Sequence, residues 1–244
     1  MGYTIVKGSV KIAMFSNLAL ALVLMVVGTV CFFPFGVLTS GKLSDRVYYR
    51  GNTDSKYVSI MFNVYWGTEY VSDILEILDT YEVKATFFIG GSWADDNTEI
   101  LRNIADKGHE LGNHGYFHKD QSKLTLEKNA EEIDLCGRLI EKLTDVKINL
   151  FAPPSGAYSE ATVQAAEDLG YKVIMWSKDT IDWRDHDQTI IYKRATENIV
   201  GGDLVLAHPT RETVAALPSI LTKYGEMGLK QVPVSVNISG NEEM

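Results

Sequence analysis

The sequence predicts an α/β domain built on a parallel β-sheet. Seven short apolar runs alternate with amphipathic helical segments, the rhythm of repeated βα units. One composition shift, near the N-terminus, sets an uncharged apolar stretch apart from that rhythm. The length of 244 residues suits one sizeable domain with an appendage.

Tyr57–Val64 reads as a buried strand, and Tyr70–Tyr81 as a helix with Val71, Ile74, Leu75 and Leu78 along one face. Lys84–Ile89 is the second strand, after which Asn97 is expected to cap a helix through Lys107. A short strand, His109–Gly112, leads into H-G-Y-F-H. Thr125–Leu143 is a long amphipathic helix carrying Leu126, Ala130, Ile133 and Ile140. Strand Ile148–Ala152 precedes a helix capped by Ser159 and closed by Gly170. Strand Lys172–Trp176 is followed by a polar loop and a helix near Gln188–Ile199. Strand Asp203–Ala207, a helix from Thr210 to Tyr224 and strand Lys230–Val234 complete the series. Alternation alone leaves a doubly wound sheet and a closed barrel both open. No G-x-G-x-x-G follows any strand, which weakens the dinucleotide-binding variant.

The appendage is N-terminal. From Leu18 to Phe35 no residue is charged, and Ile12–Phe15 extend the apolar run upstream. Eighteen helical residues span about 27 Å, and the extension reaches the ~30 Å of a hydrocarbon core. A cleaved signal peptide is the alternative, but no convincing small-x-small site follows. Residues 1–40 are therefore expected to be a tail and transmembrane anchor, 41–56 a polar linker, 57–236 the domain and 237–244 a tail. Lys7 and Lys11 balance Lys42, Arg46 and Arg50, so charge does not orient the anchor. The short tail before a long domain favours export, giving a single-pass protein with its domain on the extracytoplasmic side of a bacterial envelope. The net charge of −9 argues against a nucleic-acid partner. Cys31 and Cys136 are the only cysteines, one in the apolar run and one in a helix, so neither a disulfide nor a thiolate metal site is expected.

Reactive side chains gather at the C-terminal ends of strands, the positions that share one face in βα folds. Asn63–Gly67 follow the first strand, His114 and His118 the third, and Pro153–Gly156 the fourth. Asp179 and Asp182 follow the fifth and His208 the sixth. Two histidines four apart at a strand end, flanked by Gly112 and Gly115, point to a metal. Neutral imidazole suits zinc, cobalt, nickel or iron.

H-G-Y-F-H resembles the H-[ST]-x-x-H motif of the polysaccharide deacetylases, the carbohydrate esterase group with the NodB homology domain. K-A-T-F-F-I-G-G, G-H-E-L-G-N-H, A-P-P-S-G, D-T-I-D-W and L-A-H match its other segments in order, over roughly Tyr57–Val234. The resemblance implies a distorted (β/α)7 barrel behind the N-terminal helix. It also implies a metal-dependent hydrolase that removes N-acetyl groups from a glycan, and the substrate expected is peptidoglycan. An Asp-His-His set would hold a divalent metal, zinc first with cobalt, nickel or iron as alternatives, as a Lewis acid. A second Asp would act as base, oriented by an Arg, and a histidine as general acid. Carried over, His114 and His118 are metal ligands, His208 is the acid, and Asp179 orients it, with Asp182 as second choice. Trp183 and Leu206 would line the slot for the acetyl methyl. Tyr65, Trp66, Tyr116, Phe117 and Trp183 are placed to stack on sugar rings. Pro154 is counted as a substrate contact, against the plain alternative of a tight turn.

The first motif departs from the pattern. Where T-F-D-D-G belongs, the chain reads F-N-V-Y-W-G from Phe62 to Gly67, nearer the F-D-x-x-W-G form of a sporulation-associated branch. Asn63 stands at the base position, Val64 at the metal-Asp position and Ala152 at the arginine position. An amide is no base near neutral pH, and valine coordinates nothing. Glu69, Asp95 and Asp96 are the candidate substitute carboxylates. Three readings follow: a membrane-anchored envelope N-deacetylase, a non-catalytic relative binding glycan or a protein partner, and a hydrolase cleaving a different bond.

Overall fold

The computed structural model describes residues 17–18, 20–22, 25 and 42–239. The six between Asn17 and Met25 are helical. Most of the expected anchor over 18–35 lies outside the described residues, and among the described residues no helix is long and apolar enough to cross a membrane. Residues 1–41 and 42–244 are separate units.

The second unit is an α/β fold with nine strands, all parallel where they pair. In chain order they are β1 (Val47–Tyr48), β2 (Tyr57–Val64), β3 (Thr86–Ile89), β4 (Glu110–Asn113), β5 (Leu150–Phe151), β6 (Lys172–Ile174), β7 (Lys178–Asp179), β8 (Leu204–Ala207) and β9 (Lys230–Gln231). The spatial order is β1-β6-β5-β4-β3-β2-β8-β7, with β9 on the start of β2. The sheet therefore curls as a half-barrel with β1 and β7 at its edges, where the resemblance implied a ring of seven. The helices are α1 (Thr68–Thr80), α2 (Gly91–Asp96), α3 (Thr98–Asp106), α4 (Leu126–Thr144), α5 (Glu160–Asp168), α6 (Asp182–Asp185), α7 (Gln188–Thr196), α8 (Arg211–Glu226) and α9 (Val234–Ser239).

Two expected boundaries move. The stretch read as a linker, 41–56, contains β1, whose Val47 pairs with Val173, and Arg46 beside it forms ion pairs with Glu160 and Glu167 of α5. The expected tail from residue 237 begins inside α9. Asn237 is buried there and donates to Ser59 Oγ at 3.1 Å and to the Asp203 carbonyl at 3.3 Å. The polar loop after β6 holds β7 and α6, and helix α2 was not expected. Strand Lys230–Val234 shortens to β9, because Val234 opens α9.

Side-chain caps explain four of the helix starts. Thr125, Ser159 and Thr210 each accept from the backbone N–H three residues on, and Asp187 from those of Thr189 and Ile190. Asn97, expected to cap, does not: it precedes α3, but its side chain donates back to the Trp93 carbonyl at 2.9 Å.

Strand alternation sorts the side chains into two faces. Ile60, Phe62, Val64, Phe87, Ile89, Leu111 and Val205 pack outward with Val71, Ile74, Leu75 and Leu78 of α1 and the neighbouring helices. Phe62 and Phe87 stack at 5.0 Å in that layer; truncating either to alanine costs about 3–5 kcal/mol. Met61, Phe88, Leu150, Ala152, Ile174, Leu204 and Leu206 pack inward, joined by Val234 of α9. The same parity that turns Met61 and Leu206 inward carries Asn63 and His208, two residues further on, to the mouth.

Candidate active site

A cavity of about 510 Å³ opens at the strand C-termini. Asn63, His114, His118, Asp179, Leu206 and His208 line it, with Tyr65, Trp66, Trp176, Trp183 and Ser155. A second hollow of about 430 Å³, between α7 and α8, contains none of the histidines.

His114 follows β4 and is 1% exposed. Its Nδ1 lies 2.7 Å from the Ala152 carbonyl, an atom that only accepts, so Nδ1 carries the proton and Nε2 keeps its lone pair. Burial, reinforced by the His118 ring, pushes its pKa down to about 3, so the imidazole is neutral over the physiological range. His118 sits at φ 53°, its ring 5.1 Å from that of His114. Tyr65 stacks on it at 4.5 Å, and burial also lowers its pKa.

The turn between these rings is fixed from α4. Asn113 accepts from Gly115 N–H at 2.8 Å and donates to the Ile133 carbonyl at 2.7 Å. Buried Glu132 accepts from Phe117 N–H at 2.9 Å and pairs with Lys119 at 2.7 Å. Sequence reasoning missed both residues. Their signal was faint: a polar side chain on the inward stripe of an amphipathic helix, and a second polar residue in the strand-end turn.

His208 is held by Asp182. One carboxylate oxygen accepts from the His208 backbone N–H at 2.6 Å and the other lies 2.7 Å from Nδ1. Trp183 N–H and Thr213 Oγ1 complete the carboxylate's partners at 2.9 and 2.6 Å. Asp179, the first choice for this role, lines the cavity but accepts from Ile181 N–H at 2.8 Å, closing the turn into α6. The spacing offered two aspartates, and only Asp182, which begins α6, reaches His208. Trp66 lies parallel to the His208 ring at 5.8 Å. Gly67 permits this approach: at φ 74°, a Cβ there would stand 2.0 Å from the Pro209 carbonyl oxygen.

Asn63 is 4% exposed, and its Oδ1 is buried without a hydrogen-bond partner. Val64, read as standing at the metal-Asp position, is wholly buried in the helix-side layer. Ala152, at the arginine position of the resemblance, packs in the inward layer and carries no charge. Glu69, Asp95 and Asp96 are exposed and outside the cavity lining, so none substitutes for the missing carboxylate. Among the described residues no three His, Cys, Asp or Glu side chains converge as a metal site. Two neutral imidazoles and a carboxamide fall short of the Asp-His-His set that the resemblance implied, and the expected divalent ion does not fit these donors. Pro154 is buried under the histidine turn, its Cγ 3.4 Å from where a Gly115 Cβ would lie; its neighbour Ser155 faces the cavity. Trp176 was also missed, although alternation from Ile174 points it inward.

The model of the polysaccharide deacetylase family matches residues 50–174. The chain belongs to that family. Within it, the chain is 39% identical over 187 residues to YlxY of Bacillus subtilis, covering 77% of this chain and 59% of that protein. A peptidoglycan-N-acetylglucosamine deacetylase of Bacillus cereus is 31% identical over 188 residues, 75% of this chain and 88% of that one. Among solved structures, BA3943, a CE4 family pseudoenzyme of Bacillus anthracis, is similar at TM-score 0.77 and 38% identity, over 79% of this chain and 68% of that one. A BA3943 mutant described as having restored enzymatic activity is similar at the same TM-score and 36% identity, over 79% and 71% of the two chains. The family is metal-dependent in general. The first motif of this member is degenerate, as expected.

Proposed function

We propose that this chain is a non-catalytic member of the polysaccharide deacetylase family that binds an N-acetylated envelope glycan of the peptidoglycan type in its cleft. The observation that carries the reading is Asn63, an unpartnered carboxamide on the cavity wall where the deacetylation chemistry needs a carboxylate. Loss of a general base costs about 10²–10⁴ in rate, and the deficit in metal donors adds to it. The glycan-sized cavity with Trp66 and Trp183 exposed at its mouth supports retained sugar binding. Similarity to a CE4 pseudoenzyme supports the loss of turnover. In this reading the apolar run 18–35 anchors the chain with its domain on the extracytoplasmic side of a bacterial membrane, and His208 with Asp182 serves binding and stability.

A working metal-dependent deacetylase is the competing reading. The paired imidazoles, the His208–Asp182 unit and Asp179 on the cavity wall favour it. Metal analysis of the purified chain separates the two. The proposal expects substoichiometric zinc and sugar binding indifferent to chelator. Stoichiometric zinc, abolished by His114→Ala or His118→Ala, supports the deacetylase.

A further inference from the structure

Asn63 combines three features that no other cavity residue combines. It is almost wholly buried, it lines the cavity, and its side chain makes no hydrogen bond among the described residues, with Oδ1 orphaned. Two neighbouring ring nitrogens, by contrast, are held. His114 Nδ1 is held by the Ala152 carbonyl, and His208 Nδ1 by Asp182. A buried polar group without a partner is the exception in folded proteins and calls for an explanation.

We propose that Asn63 reads the N-acetyl group of the bound sugar by amide-to-amide pairing. A secondary acetamide offers one N–H donor and one carbonyl acceptor, and a primary carboxamide offers both in return. No partner among the described residues fixes the Asn63 amide, so it is free to turn its oxygen or its nitrogen to the ligand. A carboxylate at this position only accepts. The change that removes the base thus supplies a donor for the acetyl carbonyl, and the cleft holds the group it does not cleave. Leu206, in the same cavity and nearly buried, gives the acetyl methyl an apolar neighbour. The assignment rests on the glycan-binding reading above and adds the position of the reader and the group read.

Calorimetric titration of the full chain with two neutral β-1,4 tetramers, one of N-acetylglucosamine and one of glucose, tests it without a charge difference between probes. The N-acetylated tetramer is expected to bind about tenfold tighter, the worth of one or two net hydrogen bonds. Asn63→Leu, similar in volume, is expected to abolish that preference while leaving the glucose tetramer within about twofold. Asn63→Asp keeps an acceptor and loses the donor, and should fall between the two. Thermal midpoints of both variants establish folding. Equal binding of the two tetramers by the native chain overturns the Asn63 assignment and leaves glycan binding standing. An unchanged preference in Asn63→Leu, or an Asn63→Asp variant that matches the native chain, overturns it as well. Failure to bind either tetramer refutes the glycan reading and the assignment with it.

Discussion

At one part of the cleft Asp182 is wholly buried and accepts four hydrogen bonds, from His208 N–H, His208 Nδ1, Trp183 N–H and Thr213 Oγ1. At another, Asn63 is almost as buried and its Oδ1 accepts none. By the resemblance both stand at carboxylate positions of the family motifs, and they differ in what else they hold. Asp182 ties the start of α6 to the end of β8 and the first turn of α8, so it is a cross-link as much as a catalytic accessory. Asn63 ties nothing. A carboxylate with structural work survives the loss of chemistry, because removing it leaves buried donors unpaired. One whose only use is chemistry can be exchanged at little cost to the fold. Persistence of the His208–Asp182 pair is therefore no measure of turnover.

Stability measurements separate the two regions. The largest effect is expected from Asp182→Ala, which strands four donors: a loss of about 3–5 kcal/mol in denaturant unfolding. A loss under about 1 kcal/mol would break the comparison, since that is the range of a surface contact.

Acid is the second probe. Burial holds the His114 pKa near 3 and that of His109 near 4, both below the unfolded value of 6.5. For a base, a depressed folded pKa means that the unfolded chain binds the extra proton first. Their contribution is full above pH 6.5 and is lost as the pH falls, through pH 4 for His109 and pH 3 for His114. Unfolding followed against pH should show that slope, and His114→Gln should remove part of it. A midpoint that holds steady from pH 7 to 4 counts against the buried neutral pair.

Glu132→Ala should cost about 1–3 kcal/mol by releasing Phe117 N–H, and should speed amide exchange across residues 115–119. An unchanged exchange pattern there would mean that Asn113 fixes the turn alone. The smallest effect is Asn63→Leu, which removes an orphan acceptor. It is expected to leave stability unchanged or to raise it by up to about 1 kcal/mol. A clear loss would show that Asn63 holds something.

The fold was legible in the sequence wherever burial imposed a period. Tyr57–Val64 is apolar enough on both faces to announce β2, and the stripe of α1 gave its buried residues one by one. Short elements escaped. Lys178–Asp179 and Val47–Tyr48 are two residues long, too short for any period, and only pairing with β8 and β6 makes them strands. At the site, position at the C-terminal ends of strands was enough to bring Asn63, His114, His118 and His208 to one cavity. It could not choose between Asp179 and Asp182, because that depends on the left-handed turn at Ile181. The resemblance placed Val64 as a lost ligand, although strand parity turned that side chain toward the helices. Glu132 was hidden for another reason: it acts from the following helix through a backbone N–H, which carries no side-chain signature.

The most direct test follows acetate release and sugar binding in the same samples, with the native chain, the tetramer of N-acetylglucosamine and saturating zinc. The account predicts saturable binding with no acetate above the protein-free control over many hours. Repeated turnover by the native chain, with acetate exceeding the protein in moles, would contradict it.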